Sequence, residues 1–239
     1  GDSDLAEGKK AYDFLVQAES GLCSITGSEE CPSKVGISVT DISTGLTAYS
    51  AILRSLIRRG KTGKGVDISI SMFDVMADWM NMPLLAHRYM SGAPKRTGLK
   101  HSFISPYGSF KCRDGKQILL SIQNNREFRV FCEQVLKMPE LYLDENFSDN
   151  PVRFLNRDML DEIISSVFSQ FNLEEVVDIL NKSSIANAKL NSVEDLSNHI
   201  FLKNSKAKIG GQTISIASLP VKNNFQSNFQ VPALGEHNK

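Results

Sequence analysis

The segment from residue 42 to residue 90 constrains the fold most, because its hydrophobic pattern changes period twice. From Ile42 to Arg59 apolar residues recur every three or four positions, which is typical of an amphipathic helix. Val66 to Met72 then alternates apolar and polar side chains, as a strand does. Phe73 to Met90 returns to a helical pattern, with Pro83 as a candidate break. This helix–strand–helix order predicts an α/β fold class.

The rest of the chain divides at a linker rich in glycine, proline and basic residues, Gly92 to Pro106. Before it we expect a helix from Lys10 that ends near Gly21, and a short strand or extended segment from Val35 to Thr40. Beyond the linker, Asp114-Gly115 separates two strand-like runs and predicts a β-hairpin. The elements predicted from there on are strands Tyr107–Lys111 and Gln117–Gln123, helices Arg126–Lys137, Arg153–Phe171 and Leu173–Leu180, strand Ile185–Leu190, helix Ser192–Phe201, which opens with a capping-box pattern, and a hairpin within Gly210–Leu219.

Charge and cysteine content narrow the class of protein. Lys plus Arg and Asp plus Glu both number 27, whereas a protein that mainly binds nucleic acid or an acidic membrane needs a basic excess. The four cysteines form no CxxC pair, so we expect reduced thiols and no metal site. No run approaches about 20 apolar residues. We therefore expect a cytoplasmic protein, or a mitochondrial one in a eukaryote. The chain lacks an opening Met, and we expect it to be part of a longer protein.

Asp41 is the first candidate for chemistry, because it lies where the extended segment meets the long helix. A carboxylate at a helix N-terminus accepts hydrogen bonds from backbone N–H groups and is stabilised by the helix dipole. Such an Asp is most often only an N-cap. A nucleophile would instead need one oxygen open toward a substrate carbonyl. From the residues alone both interpretations stay open, and no hydrolase elbow or phosphate-binding loop is found elsewhere.

Four segments together resemble the class III (CaiB/BaiF-type) coenzyme A transferases. The match includes Asp41, Gly45 and Ala48 in a D-x-x-x-G-x-x-A pattern, followed by the KTGKG turn at residues 61–65. The four segments are YDFLVQAESGLCSITG (12–27), VGISVTDISTGLTAYSAILRSLIRRGKTGKGVDISISMFDVM (35–76), SPYGSFKCRDGKQILLSIQN (105–124) and PALGEHN (232–238).

The resemblance implies a large Rossmann-like α/β domain and a smaller α+β domain, with an N-terminal segment missing here. Residues 1–95 would be the remainder of the large domain, residues 96–195 the small domain, and residues 196–239 a segment returning to the large domain. It also implies an interlocked homodimer in the full-length form. Acyl-CoA and carboxylates would be the substrates, with no permanently bound cofactor, no nucleic acid and no membrane.

By the same resemblance Asp41 would be acylated during CoA transfer, through an aspartyl anhydride and an aspartyl-CoA thioester. Lys10, Tyr12 and Met72 match family positions near the CoA. The dicarboxylate branch is the nearest in pattern, and Arg96 and His101 in the linker are candidates for binding the second carboxylate.

Two alternatives remain. The racemase branch acts on 2-methylacyl-CoA with a His and an Asp as its acid–base pair. It carries Gly-His-Asp where this chain has Ala11-Tyr12-Asp13, and tyrosine, with a pKa near ~10, is a poor base at neutral pH. The other alternative is an inactive fragment that binds CoA or dimerises.

Overall fold

The structure is a computed structural model that describes residues 4–90, 92–209, 211–221 and 235–236. It divides into two compact units, Gly1–Ala188 and Lys189–Lys239. The PALGEHN segment, one of the four that carry the resemblance, lies outside the described residues except for 235–236. None of the helices in the described ranges is long and apolar enough to cross a membrane.

The first unit combines helices with a small sheet. Its helices are α1 Asp13–Glu19, α2 Leu22–Ile25, α3 Val39–Thr62, α4 Met72–Trp79, α5 Asn81–Tyr89, α6 Asn125–Val130, α7 Asn150–Leu155, α8 Arg157–Phe168 and α9 Leu173–Lys182. Its strands are β1 Tyr107–Lys111 and β2 Gln117–Ser121, joined by β3 Ala186–Lys189 in the order β1-β2-β3. The second unit contains α10 Val193–Ser197 and the strands β4 Asn204–Ile209 and β5 Gln212–Ala217.

The hairpin predicted around Asp114-Gly115 is confirmed. β1 and β2 pair antiparallel, with Phe110 opposite Ile118 and Gly108 opposite Leu120. Because alternate residues of a strand share a face, Phe110, Ile118 and Leu120 are all buried on the same side. That side is one wall of the main hydrophobic core.

The core lies between residues 110 and 185, and Phe168 at the end of α8 is near its centre. The Phe168 ring meets Phe110 edge-on at 5.9 Å between centroids and Phe131 at 6.4 Å. Phe131 opens a π-helical continuation of α6, Phe131–Leu136, whose side chains also enter this core.

The long helix predicted from Ile42 is confirmed as α3, although it begins three residues earlier. Its periodic apolar residues are 41–62% exposed, so the described part of the chain leaves this face about half open to solvent: Ile42, Leu46, Tyr49, Leu53 and Leu56. α3 ends at Gly63, which adopts a left-handed φ of 68° that glycine tolerates well.

The strand predicted at Val66 to Met72 is wrong. This segment forms no ladder with any described strand, and Met72 already belongs to α4. Val35 to Thr40 is likewise not a strand, since its last two residues open α3. Alternation only shows that a segment can be extended, whereas a strand also needs a hydrogen-bonded neighbour.

Three further boundaries differ from the sequence predictions. The helix after Phe73 breaks at Met80, and Pro83 lies in the first turn of α5, where its missing N–H costs little. The helix expected from Arg153 to Phe171 is two helices that meet at Asn156. The hairpin predicted within Gly210–Leu219 is confirmed, but its first strand lies earlier: it pairs β4 with β5, with Ile209 opposite Gln212.

Candidate functional site

Asp41 lies in the first turn of α3, not ahead of it. Its side chain is exposed, and its carboxylate makes no hydrogen bond or ion pair with any residue in the described part of the chain. Ser38, at the N-cap position, also makes no side-chain capping bond. The helix end therefore has to be capped by another group, since its first N–H groups lack partners within the helix.

That group is Asp13, the first residue of α1. Its Oδ1 accepts a hydrogen bond from the backbone N–H of Thr40 at 2.8 Å and a second from the backbone N–H of Asp41 at 3.3 Å. Asp13 thus performs across the fold the role that a local N-cap usually performs. The carboxylate of Asp41 is left without that role.

Gln17, one turn further along α1, holds the other side of Asp13. Its Nε2 donates to Asp13 Oδ2 at 2.7 Å, and its Oε1 accepts from the backbone N–H of Val35 at 2.9 Å. Gln17 is fully buried, so losing either partner would leave a polar atom unpaired away from water. Asp13 is consequently held through both of its carboxylate oxygens.

The pKa of Asp13 follows from these contacts. Burial raises the pKa of the carboxyl, but the hydrogen bonds from the Gln17 amide and from the Thr40 and Asp41 backbone outweigh it and hold the pKa below its usual value. Asp13 is therefore ionised at neutral pH, which strengthens its hydrogen bonds to the helix end.

Lys10 and Met72, two predicted CoA contacts, line the same cleft. This cleft has a volume of about 710 Å³ and lies between α1, with the residues that precede it, and the start of α4. Lys9, the neighbour of Lys10, forms an ion pair with Glu19 at 2.7 Å. Asp41 and Tyr12 are not part of the cleft lining, which consists of Leu5, Ala6, Lys9, Lys10, Ala11, Leu15, Val16, Ala18, Glu19, Ser69, Ile70, Ser71, Met72 and Phe73.

Tyr12 lies directly before α1 and is 64% exposed. Its chain neighbour is Asp13, so its backbone lies at the helix end that contacts Asp41. α1 packs against both α3 and α4. It therefore connects the part of the site that contains Asp41 with the cleft that contains Lys10 and Met72.

Arg96 has a different environment. Its guanidinium donates to three backbone carbonyls: Nε to Ser28 at 2.9 Å, Nη1 to Ser24 at 3.1 Å and Nη2 to Glu29 at 2.9 Å. These bonds attach the linker to α2, through Ser24, and to the loop after it. A guanidinium has five N–H groups, so Nη1 and Nη2 each keep one N–H for another acceptor.

His101 is oriented through its ring. Its Nδ1 accepts hydrogen bonds from the backbone N–H groups of Phe103 and Ile104, both at 3.1 Å, and the ring stacks on Tyr107 at 5.0 Å. An Nδ1 that accepts leaves the proton on Nε2, which is the atom able to donate to a ligand. Within the described ranges neither His101 nor Arg96 hydrogen-bonds to Asp41.

Sequence reasoning missed the capping role of Asp13 and missed Gln17 entirely. The available signal was weak: an acid and an amide four residues apart share one face of a helix. That spacing indicates a local pair. It does not reveal that the pair reaches a second helix start that is distant in the sequence.

Comparison with known proteins places these observations in a family. The model for "CoA-transferase family III" matches residues 1–238. The succinyl-CoA:glutarate CoA-transferase of Mus musculus is 32% identical over 97% of this chain and 55% of its own length. The acetyl-CoA:oxalate CoA-transferase of Acetobacter aceti is 30% identical over 89% of this chain and 54% of its own length. The chain thus spans about half the length of these curated relatives.

Among solved structures, a CaiB/BaiF family protein from Brucella suis superimposes with a TM-score of 0.76 at 26% identity, over 94% of this chain and 59% of its own chain. The predicted fold class, a mixed α/β fold of the CaiB/BaiF type, is confirmed by this likeness.

Proposed function

Because the chain belongs to CoA-transferase family III, we propose that it is the part of a CoA-transferase that carries the acyl-accepting carboxylate, Asp41. One observation carries the proposal: the Asp41 carboxylate is exposed and, among the described residues, unbonded at a helix N-terminus that Asp13 caps in its place. A carboxylate engaged as a cap is turned toward the backbone and is less available to a substrate.

The proposed reaction begins when an Asp41 oxygen attacks the thioester carbonyl of the donor. The C–S bond breaks, CoA leaves as a thiolate, and a mixed anhydride forms. The thiolate then attacks the aspartyl carbonyl, which releases the donor acid and leaves an aspartyl-CoA thioester. Each step replaces one activated acyl group by another, so one difficult exchange becomes several easier ones.

The second half reverses these events with the acceptor. The acceptor carboxylate attacks the aspartyl-CoA thioester, displaces CoA thiolate and forms a second anhydride. The thiolate then attacks the acceptor's carbonyl, giving the new thioester and regenerating a carboxylate on Asp41, one oxygen of which comes from the acceptor. The position of Asp41 in the first turn of α3 supports this role, because negative charge is stabilised at a helix N-terminus.

We propose that CoA lies along the cleft that Lys10 and Met72 line, with Tyr12 between that cleft and Asp41. Its volume of about 710 Å³ is within the usual range of small-molecule sites. The ammonium group of Lys10 suits a polar or phosphate group of CoA, and the Met72 thioether suits an apolar part. The division into residues 1–95, 96–195 and 196–239 also remains a proposal.

We propose a dicarboxylate as the acid substrate. The names of the two relatives support this, since succinate, glutarate and oxalate each carry two carboxylates. His101 would bind the second carboxylate through Nε2–H, and Arg96 through the N–H groups that its carbonyl contacts leave unused. In the complete protein we also propose a homodimer, which would give the apolar face of α3 a partner to pack against.

The proposed function is tested by CoA transfer from succinyl-CoA to glutarate, measured chromatographically with the complete protein. Asp41→Asn should lower the rate by at least about a thousandfold, as removal of a nucleophile does, with little change in Tm. Asp74→Asn is the matched control, because Asp74 is also exposed in the first turn of a helix. Activity in Asp41→Asn near that of Asp74→Asn would contradict the proposal.

A further inference from the structure

We propose that Asp13 is a positioning residue for Asp41: by capping α3, it prevents the Asp41 carboxylate from becoming that helix's own cap and keeps it available for acyl transfer. This inference rests on the proposed function of Asp41. The chain thereby overcomes a preference of its own local sequence, which favours a capping box at the start of α3.

The local preference is visible in the sequence around the helix start. Ser38 and Asp41 have the S-x-x-D spacing of a capping box, in which the serine hydroxyl accepts from the N–H of the acid and the acid accepts from the N–H of the serine. Such a box would engage one oxygen of the Asp41 carboxylate and turn the group toward the backbone.

The same spacing occurs elsewhere in this chain and forms the box there. Ser192 Oγ accepts from the Asp195 N–H at 3.1 Å, and Asp195 Oδ2 accepts from the Ser192 N–H at 2.8 Å. At the start of α3 neither bond is present, and the Asp41 N–H donates to Asp13 instead. The pattern is therefore able to close. At α3 two things differ: a carboxylate is brought by α1, and the backbone of Ser38 has a ψ of 66° where that of Ser192 is extended at 174°.

Gln17 makes this arrangement stiff. Because its buried amide bonds both Asp13 and the Val35 backbone, Asp13 cannot turn away from α3 without leaving the Gln17 Nε2 unpaired. The hydrogen bonds from the Val35 N–H to Gln17 and from the Gln17 amide to Asp13 thus hold the capping carboxylate in place.

The test exchanges the carboxylate at position 13 and the amide at position 17. Asp13→Asn alone sets an NH₂ group against the Gln17 NH₂ group, and Gln17→Glu alone sets two carboxylates against each other. The double variant Asp13→Asn with Gln17→Glu restores every bond. The new carboxylate at position 17 accepts from the Val35 N–H and from the new amide at position 13, whose carbonyl oxygen still accepts from Thr40 and Asp41. Because its bonding pattern is complete, the double variant should fold even where a single variant does not.

The readout is the rate at which Asp41 becomes acylated in a single turnover of the complete protein with succinyl-CoA. Hydroxylamine attacks the activated Asp41 carbonyl, displaces succinate or CoA thiolate and leaves an aspartyl hydroxamate, which mass spectrometry maps. We expect each single variant to acylate about ten- to a hundredfold more slowly, which is typical of a displaced reacting group. KM should stay near that of the unsubstituted protein, and the double variant should acylate faster than either single variant.

Normal acylation in Asp13→Asn, or a double variant no faster than the singles, would overturn the positioning role. Trapping in the unsubstituted protein at a residue other than Asp41 would instead overturn the proposed function. The two failures are therefore distinguishable in one experiment.

Discussion

The Asp13 carboxylate accepts a hydrogen bond from the backbone N–H of Asp41 at 3.3 Å and another from Thr40 at 2.8 Å. One acid therefore caps the helix on which the other acid is presented. The division of roles follows from position: Asp13 is tied through both oxygens, whereas the Asp41 carboxylate makes no hydrogen bond to the described residues.

The capping bonds should make stability depend on acid pH. Because hydrogen bonding holds the folded-state pKa of Asp13 below its unfolded value of about 3.9, ionised Asp13 stabilises the fold above that value. This contribution is lost as the pH falls through the folded-state pKa. Asp13→Asn should therefore flatten the acid limb of a plot of Tm against pH between about 5 and 2. Asp74→Asn is the control, and an acid limb in Asp13→Asn as steep as in that control would contradict the assignment.

The four free cysteines should differ in reactivity toward iodoacetamide. Burial raises the pKa of Cys132 to about 12, and Cys112 is also buried with a raised pKa, so neither forms the reactive thiolate at pH 8. Cys31, which is exposed, should be alkylated first. Peptide mapping over time measures the order, and a urea-unfolded sample in which all four react is the control. Early labelling of Cys132 would contradict the buried position.

Arg96 should show two separable effects. Arg96→Ala removes three bonds to backbone carbonyls and should lower Tm, because a polar network is lost. If Arg96 also binds the second carboxylate, the KM for glutarate should rise about tenfold more than the KM for a monocarboxylate acceptor, since one charged contact is worth about 1.5 kcal/mol or more. Arg96→Lys keeps the charge as a comparison. An equal rise in both KM values would leave Arg96 with a structural role only.

Truncation of Phe168 should be costly, because this ring lies in the main core. It is 1% exposed and contacts two other phenylalanines, so Phe168→Ala should lower the free energy of unfolding by about 3–5 kcal/mol. Phe201→Ala, at a ring that is 78% exposed, makes the same substitution outside a core and should cost little. Urea unfolding of both variants measures the difference, and similar losses would contradict the placement of the core.

How much of the fold is predictable depends on whether the interactions are local. The hairpin of β1 and β2, the capping box at Ser192 and the existence of α3 follow from turn residues, spacing and periodicity, and all are confirmed. These features need only residues close in sequence.

The failures concern interactions between distant segments. Val66 to Met72 alternates like a strand but has no ladder partner in the described ranges. Asp41 looks like its own helix's cap, and only the fold reveals that Asp13 takes that role from 28 residues away. The apolar face of α3 follows from its periodicity, yet periodicity does not specify what, if anything, covers that face.

The most direct measurement follows oxygen-18 from a labelled acceptor acid. In the proposed reaction the acceptor's attacking oxygen becomes the bridging oxygen of the second anhydride, and it stays on Asp41 when CoA thiolate takes the acyl group. After turnover with succinyl-CoA and doubly labelled glutarate, peptide mass spectrometry should therefore find the label in the Asp41 carboxylate and not in Asp74. Efficient transfer with no label in Asp41 would contradict the account.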